Sequence, residues 1–300
     1  DDFAGVVVIT GYIARNLEGL QTTLGRNGSD YSASIFGALL SADAVHIWTD
    51  VDGVMSADPR QVPEATVIDE ISCNEAMELA YFGARVIHPQ TMAPAIAHGI
   101  PIRIRGTFNP EHPGTWITES PARSETLIKG VSGVGNVALV NLEGAGMIGV
   151  PGTADRLFGA LRDAGVSVML ISQGSSEHSI CFAVPEGSAD LVKTIVEQAF
   201  RVELSEAQIQ NVEVTKGCGV LAIVGDGMAG LPGVAGQFFR TLGSAAINVR
   251  AIAQGASERN ISAVIAAKDM TRALRAVHAS FYLSAKTVSI GLIGPGSVGG

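Results

Sequence analysis

Thr22-Thr23-Leu24-Gly25-Arg26-Asn27-Gly28-Ser29-Asp30 sets a glycine-flanked arginine just before a helix start that carries a serine and a carboxylate. Trp48-Thr49-Asp50-Val51-Asp52-Gly53-Val54 then ends a strand on a second carboxylate, and Asp58-Pro59-Arg60 brings another arginine after a turn. Glycine lets backbone N–H groups approach a ligand, and a helix N-terminus carries partial positive charge that favours anions. Arginine adds two-pronged binding of carboxylate or phosphate. Together the pieces predict a site for two anionic molecules. Ser29 alone reads equally as a helix cap and Arg26 as a solvated cation, but a plain turn needs neither in that order.

Outward from this run, strands and helices alternate. Residues 6–9 read as a buried strand, 29–40 as a helix with Ile35 and Leu39 on one face, and 44–48 as a strand. Residues 50–63 form a turn-rich loop. Ser72-Cys73-Asn74-Glu75 is a capping box opening a helix that runs to Phe82; 88–98 is a second helix and 100–104 a strand. The alternation predicts an α/β layered domain over residues 1–120. Residues 109–125 hold three prolines and several polar side chains, and a linker is placed at 121–136.

Beyond it lies an internal repeat. Shifting residues 144–184 by 81 positions onto 225–265, without gaps, gives 17 identities in 41. Gly144, Gly146, Met147, Gly149, Pro151 and Gly152 fall on Gly225, Gly227, Met228, Gly230, Pro232 and Gly233. Ile171, Gln173, Gly174, Ser176, Glu177 and Ile180 fall on Ile252, Gln254, Gly255, Ser257, Glu258 and Ile261. Each copy reads as strand, glycine-rich turn, helix starting near proline, strand, turn, strand, helix. Two α+β sandwiches of βαββαβ type are therefore expected, at 137–215 and 216–285. Gln173 and Gln254 each end an apolar strand, and an amide with donor and acceptor suits the ammonium and carboxylate of an amino acid. Read plainly, they are surface polar residues of a duplicated packing unit.

The last segment, from residue 286, is an apolar strand followed by Gly294-Pro295-Gly296-Ser297-Val298-Gly299, the dinucleotide-binding spacing in its required context after a strand. The net charge of −9 offers no basic stripe to a nucleic acid. Cys73, Cys181 and Cys218 have no metal-binding spacing and predict a reduced, cytoplasmic setting. No run of 18 apolar residues predicts a membrane span.

These residues identify a resemblance. The chain resembles the bifunctional aspartokinase/homoserine dehydrogenases of the threonine-sensitive type. It does so through Thr22 to Tyr31, Trp48 to Arg60, Glu75-Ala76-Met77-Glu78-Leu79-Ala80-Tyr81-Phe82-Gly83-Ala84-Arg85-Val86-Ile87-His88-Pro89, and Asn109-Pro110. The duplicated unit is similar to a tandem pair of ACT domains. The tail is similar to the opening of the dehydrogenase's NAD(P)-binding domain, with Gly294, Gly296 and Gly299 as its cofactor turn.

The resemblance implies a layered amino-acid-kinase domain and transfer of phosphate from Mg2+-ATP to L-aspartate. It implies that Arg26 and Ser29 bind substrate, that Asp30 acts as a catalytic and substrate residue alongside Arg26, and that Thr49, Asp50, Met55, Arg60 and Arg85 bind ATP. Met55 stands where tyrosine is common, and Arg85 where lysine is. His88 is expected to be structural. L-threonine is the implied effector, at Gln173 and Gln254, with a homo-oligomer assembled through the ACT domains. The family's Lys-Phe-Gly-Gly segment is absent, so the chain reads as a fragment with no useful kinase activity of its own; the alternative is a regulatory, amino-acid-binding and oligomerisation module only. The resemblance also places the strand near 128–134 beside the second ACT unit.

Overall fold

The computed structural model describes residues 5–25, 27–82, 88–121, 126–174 and 177–282. A short antiparallel hairpin, β1 (Ile13–Arg15) with β2 (Gln21–Thr23), leads into helix α1 (Gly28–Leu39). Crowding requires Gly28: a Cβ there would stand 2.9 Å from both Leu24 and Tyr12. Strands β3 (Val45–Thr49) and β4 (Glu70–Ser72), helices α2 (Cys73–Tyr81) and α3 (Pro89–Ala97), and strands β5 (Ile102–Gly106) and β6 (Thr115–Thr118) follow. The sheet order is β3-β5-β6-β4, with β3 parallel to β5, β6 parallel to β4, and the central pair antiparallel. Ile71, Ile102, Ile104 and Ile117 share one core with Leu79 and Met92. The capping box is formed as expected: Ser72 Oγ accepts the Glu75 N–H at 3.0 Å, and the Glu75 carboxylate accepts the Ser72 N–H at 2.8 Å.

One expectation fails here. Residues 6–9 form no strand, and Val6 and Val8 are 91% and 93% exposed. An apolar run is buried only where a neighbour covers it, and no described strand pairs with this one.

The repeat follows as β7 (Gly130–Glu143), α4 (Thr153–Asp163), β8 (Leu170–Gln173), β9 (Ser179–Pro185), α5 (Ala189–Ala199), the short α6 (Arg201–Ser205) and β10 (Asn211–Val224). Then come α7 (Val234–Ser244), β11 (Ala251–Gln254), β12 (Asn260–Ala266) and α8 (Met270–Tyr282). The six strands form one antiparallel sheet in the order β11-β12-β10-β7-β9-β8.

Strands β7 and β10 serve both copies. Residues 139–143 pair with 211–215 in the first, and 130–134 pair with 220–224 in the second. Between these stretches the register shifts, and Asn136 (φ 56°) and Gly217 (φ 68°) adopt the left-handed conformation found at bulges. The sheet folds over so that β8 and β11, at opposite ends of the order, touch. Helices α4 and α5 cover the first copy around Leu142, Leu157 and Phe182; α7 and α8 cover the second around Ile223, Phe238 and Leu274. Between the inner faces lies a further core, including Val137, Leu139, Val220, Ala222 and Val264, with Phe82 packed into it.

One reading needs correction. Residues 130–136, assigned to a linker, belong to β7, and 130–134 pair with 220–224 of the second unit, beside which the resemblance places a strand near 128–134. Pro151 and Pro232 sit one residue ahead of the left-handed caps Gly152 and Gly233, so each helix starts near its proline, which stands just outside it.

The second copy is bonded to the first part of the chain. Glu75, 1% exposed, uses its second carboxylate oxygen to accept the Asp226 N–H at 2.7 Å. The Ser72 hydroxyl donates to the Asp226 carboxylate at 2.6 Å, and the Asn260 amide donates to Glu78 at 2.6 Å.

Candidate ligand sites

A cavity of about 490 Å³ opens between the start of α1, the end of β3 and the loop that follows it. Asp30, Thr49, Asp50, Met55 and Arg60, all predicted site residues, line it together. Ser29, the second residue of α1, is exposed and is not part of this wall. Arg26 and Arg85 lie outside the described residues, as do Gly294, Gly296 and Gly299.

Local folding places each group. Asn27, in the left-handed conformation (φ 57°), stands at the N-cap of α1, and its amide donates to the Asp30 carboxylate at 3.2 Å. Asp30 therefore sits in the first helical turn, where the helix dipole favours a carboxylate. Burial nevertheless pushes its pKa up, and the Asn27 hydrogen bond only partly offsets that. The Thr49 hydroxyl donates to Asp50 at 3.1 Å. The Arg60 guanidinium grips Asp58 with bonds of 2.9 and 2.7 Å, and this pairing lowers the Asp58 pKa. Asp58 also accepts the Arg60 backbone N–H at 3.0 Å, closing the turn around Pro59. The Nε–Nη2 edge of Arg60 is thus taken up by Asp58, which orients the guanidinium and leaves its Nη1 edge to a further oxyanion.

Sequence reasoning passed over Asn27 and Asp58 as site residues. Their signals were present: an asparagine before glycine at a helix start, and an aspartate two residues before the arginine it orients. His88, expected to be structural, stands at the N-cap of α3, where its carbonyl accepts the Thr91 N–H at 3.0 Å.

Two smaller cavities, of about 310 and 300 Å³, occupy equivalent places in the copies. Met147, Gly149, Gln173, Glu177 and Ile180 line the first; Met228, Gly230, Gln254, Glu258 and Ile261 line the second. The glutamates were matched in the repeat but not assigned to the site. Each adopts a left-handed backbone, φ 54° at Glu177 and 53° at Glu258. Each carboxylate accepts a glycine N–H across the cavity mouth, from Gly149 at 2.9 Å and from Gly230 at 2.6 Å. Gln173 and Gln254, at the ends of β8 and β11, are exposed.

Among the described residues no group of three metal-ligating side chains is present, and no helix is long and apolar enough to cross a membrane.

The amino acid kinase family matches residues 3–106, and the ACT domain matches 140–200 and again 221–281. The Zea mays bifunctional aspartokinase/homoserine dehydrogenase 1, chloroplastic, is 50% identical over 300 residues, which cover 99% of this chain and 33% of that protein. The chain belongs to the aspartokinase family. It spans about a third of the length of such curated relatives. Solved aspartokinases share the fold of this family member. The Clostridium acetobutylicum aspartate kinase matches with a TM-score of 0.81 at 30% identity, covering 90% of this chain and 62% of that one. Escherichia coli aspartokinase III in complex with aspartate and ADP matches with a TM-score of 0.75 at 30% identity, covering 91% and 60%. The two ACT matches coincide with the two copies that share β7 and β10.

Proposed function

We propose that the large cavity is the aspartate and ATP site of an aspartate kinase, belonging to a bifunctional aspartokinase/homoserine dehydrogenase. The observation that carries this reading is the convergence of Asp30, Thr49, Asp50, Met55 and Arg60 on one cavity. The related E. coli enzyme has been solved with aspartate and ADP, which supports reading the two ligands as aspartate and the nucleotide. Asp30 receives the substrate ammonium, which draws its raised pKa back down. Thr49 and Asp50 hold the nucleotide, Met55 gives it an apolar wall, and Arg60, oriented by Asp58, faces its phosphates. By motif, Arg26 and Ser29 take the substrate carboxylate and Arg85 a phosphate.

In the reaction a β-carboxylate oxygen of aspartate bonds to the γ-phosphorus as the bond to the bridging oxygen breaks, and ADP leaves. The protein contributes positioning and charge neutralisation. Mg2+ would be held at Asp50, a hard oxygen donor, with the nucleotide phosphates and water supplying its other ligands, and would neutralise phosphate charge there. Calorimetric titration of the chain with Mg-ADP and with L-aspartate tests the assignment. Asp50→Ala is expected to abolish the first and Asp30→Ala the second; unaltered ADP binding by Asp50→Ala would remove the nucleotide reading.

The small cavities are read as effector sites for L-threonine, with Gln173 and Gln254 as ligands. Millimolar threonine should raise the melting temperature by mass action, with lysine and methionine as controls. An equal rise with lysine reassigns the effector. Ile171 and Ile252, exposed at matching places on the edge strands β8 and β11, suit association of ACT units into a homo-oligomer. NAD(P) binding through Gly294, Gly296 and Gly299 belongs to the dehydrogenase of the parent enzyme, in a reduced, cytoplasmic setting where Cys73, Cys181 and Cys218 stay free thiols.

A further inference from the structure

Loop 50–66 brings Asp58 and Arg60 to the large cavity, yet it contains neither helix nor strand. Its one ladder contact is a single bridge from Met55 to Val67. Buried Val54, Ala57 and Val62 and the Ser56 N–H bond to the Thr66 carbonyl anchor its ends, and contacts from outside add to that hold. Helix α8 of the second ACT unit supplies these with one face. Thr271, Leu274, Arg275 and His278 fall at the three- and four-residue spacing that lines up along a helix. The Thr271 hydroxyl donates to the Gln61 side chain at 2.9 Å, and Arg275 Nε donates to the Gln61 carbonyl at 2.6 Å. Leu274 lines the cavity itself. His278 Nε2 lies 2.9 Å from Ser56 Oγ. Ser56 and Gln61 thus bracket Ala57, Asp58, Pro59 and Arg60, all four of which line the cavity.

The Ser56 end of this grip is the buried one. Ser56 is 0% and His278 2% exposed. Ser56 Oγ accepts the Thr66 N–H at 2.9 Å, and its carbonyl accepts the Val131 N–H at 2.8 Å, which leaves its remaining side-chain capacity to His278. The imidazole is stacked on Tyr282 with centroids 4.5 Å apart, so its ring cannot turn away without breaking that contact. A core position that needed only volume would not pair a ring nitrogen with a buried hydroxyl from the opposite part of the chain.

We propose that His278 is a positioning residue for the nucleotide site: through Ser56 it fixes the loop that presents Asp58 and Arg60. The nucleotide half of this statement rests on the reading of the large cavity given above. The role makes the second ACT unit part of the apparatus that shapes that cavity.

The test uses the whole chain with His278→Phe, which keeps ring and volume, His278→Gln, which keeps polar reach, and Ser56→Ala. Amide hydrogen exchange follows loop 50–66 against β12 and α7, and calorimetry follows Mg-ADP and L-aspartate. In His278→Phe the Ser56, Val62 and Thr66 amides should lose about tenfold in protection while β12 and α7 keep theirs. Mg-ADP should bind about tenfold more weakly with aspartate affinity held. His278→Gln should recover part of both, and Ser56→Ala should loosen the same amides without adding to His278→Phe. Unchanged loop protection, or a loss spread evenly through α7 and β12, makes His278 a core filler and overturns the proposal. A wild-type chain that binds no Mg-ADP, while His278→Phe still loosens the loop, sinks the nucleotide reading and leaves the hold on the loop standing.

Discussion

The two ACT units have nearly the same cavity but different surroundings. Each has its methionine, glycine turn, glutamine and left-handed glutamate in place. At the position where the second unit has Asp226, bonded to Ser72 and Glu75, the first has Ala145, which is exposed. Where the second has Asn260, bonded to Glu78, the first has Ser179. The glycine turn of the first unit leans instead on its own chain, with the Gly146 N–H donating to the Gln208 carbonyl at 2.9 Å. The cavity is the same in both copies, while residues outside it differ in how they meet α2: the second copy bonds it through Asp226 and Asn260, and the first through Met169, whose carbonyl accepts the Tyr81 hydroxyl at 3.0 Å.

The comparison breaks most visibly at Glu75. Removing its carboxylate takes away the return half of the capping box of α2 and leaves the buried Ser72 N–H and the half-buried Asp226 N–H unpaired, so Glu75→Ala should cost about 2–4 kcal/mol in urea unfolding. A loss under about 1 kcal/mol would show that the junction holds little. Asn260→Ala should cost about 1–2 kcal/mol by freeing the Glu78 carboxylate, whereas Ser179→Ala in the first unit should be close to neutral. Ala145→Asp, which writes the second unit's residue into the first, should change stability by less than about 0.5 kcal/mol, because no Ser72 and Glu75 face it. If it stabilises by more, the asymmetry has another source.

The cavities sharpen the comparison from the other side. Gln173→Ala and Gln254→Ala should each remove about half of the threonine-induced rise in melting temperature, since their linings match. A strongly unequal loss would mean that attachment to the kinase part alters effector affinity.

The smallest effect separates Cys181 in the first unit from Ser262 at the matching place in the second. Burial, with Cys218 nearby, raises the Cys181 thiol from 9.0 to about 11. A group whose folded pKa lies above its unfolded value adds stability that is whole below the unfolded pKa, here about 9, and fades as pH rises towards about 11. Cys181→Ser should therefore flatten the alkaline limb of the melting profile between those values. A profile identical to wild type would place the alkaline loss elsewhere.

Much of this was legible in the residues. The capping box fixed the start of α2 because its two hydrogen bonds are local, and an 81-residue offset exposed the duplicated unit at once. The convergence of Asp30, Asp50 and Arg60 was legible as chemistry before it was visible as a cavity. What escaped was non-local. Residues 6–9 look like a strand because composition records apolarity but not the neighbour that must cover it. Residues 130–136 look like a linker by composition because the partner of 130–134 is 220–224, and only the family resemblance placed a strand there. Asp226 and Asn260 carry no motif, and their meaning depends on carboxylates more than 150 positions away. Glu177 and Glu258 repeat faithfully, but only the left-handed backbone and the glycine N–H contacts reveal what they hold.

Shared strands also set an order of assembly. On a ribosome, residues 130–134 emerge well before 220–224, the segment that gives them a hydrogen-bonded neighbour. The second unit therefore closes around the first, and α8, the last described element, arrives only after everything it must grip. Until then the segment bearing Arg60 lacks that clamp. Translation thus completes the second ACT unit and the large cavity in the same late step, so a chain stalled before α8 should emerge with that cavity unfinished.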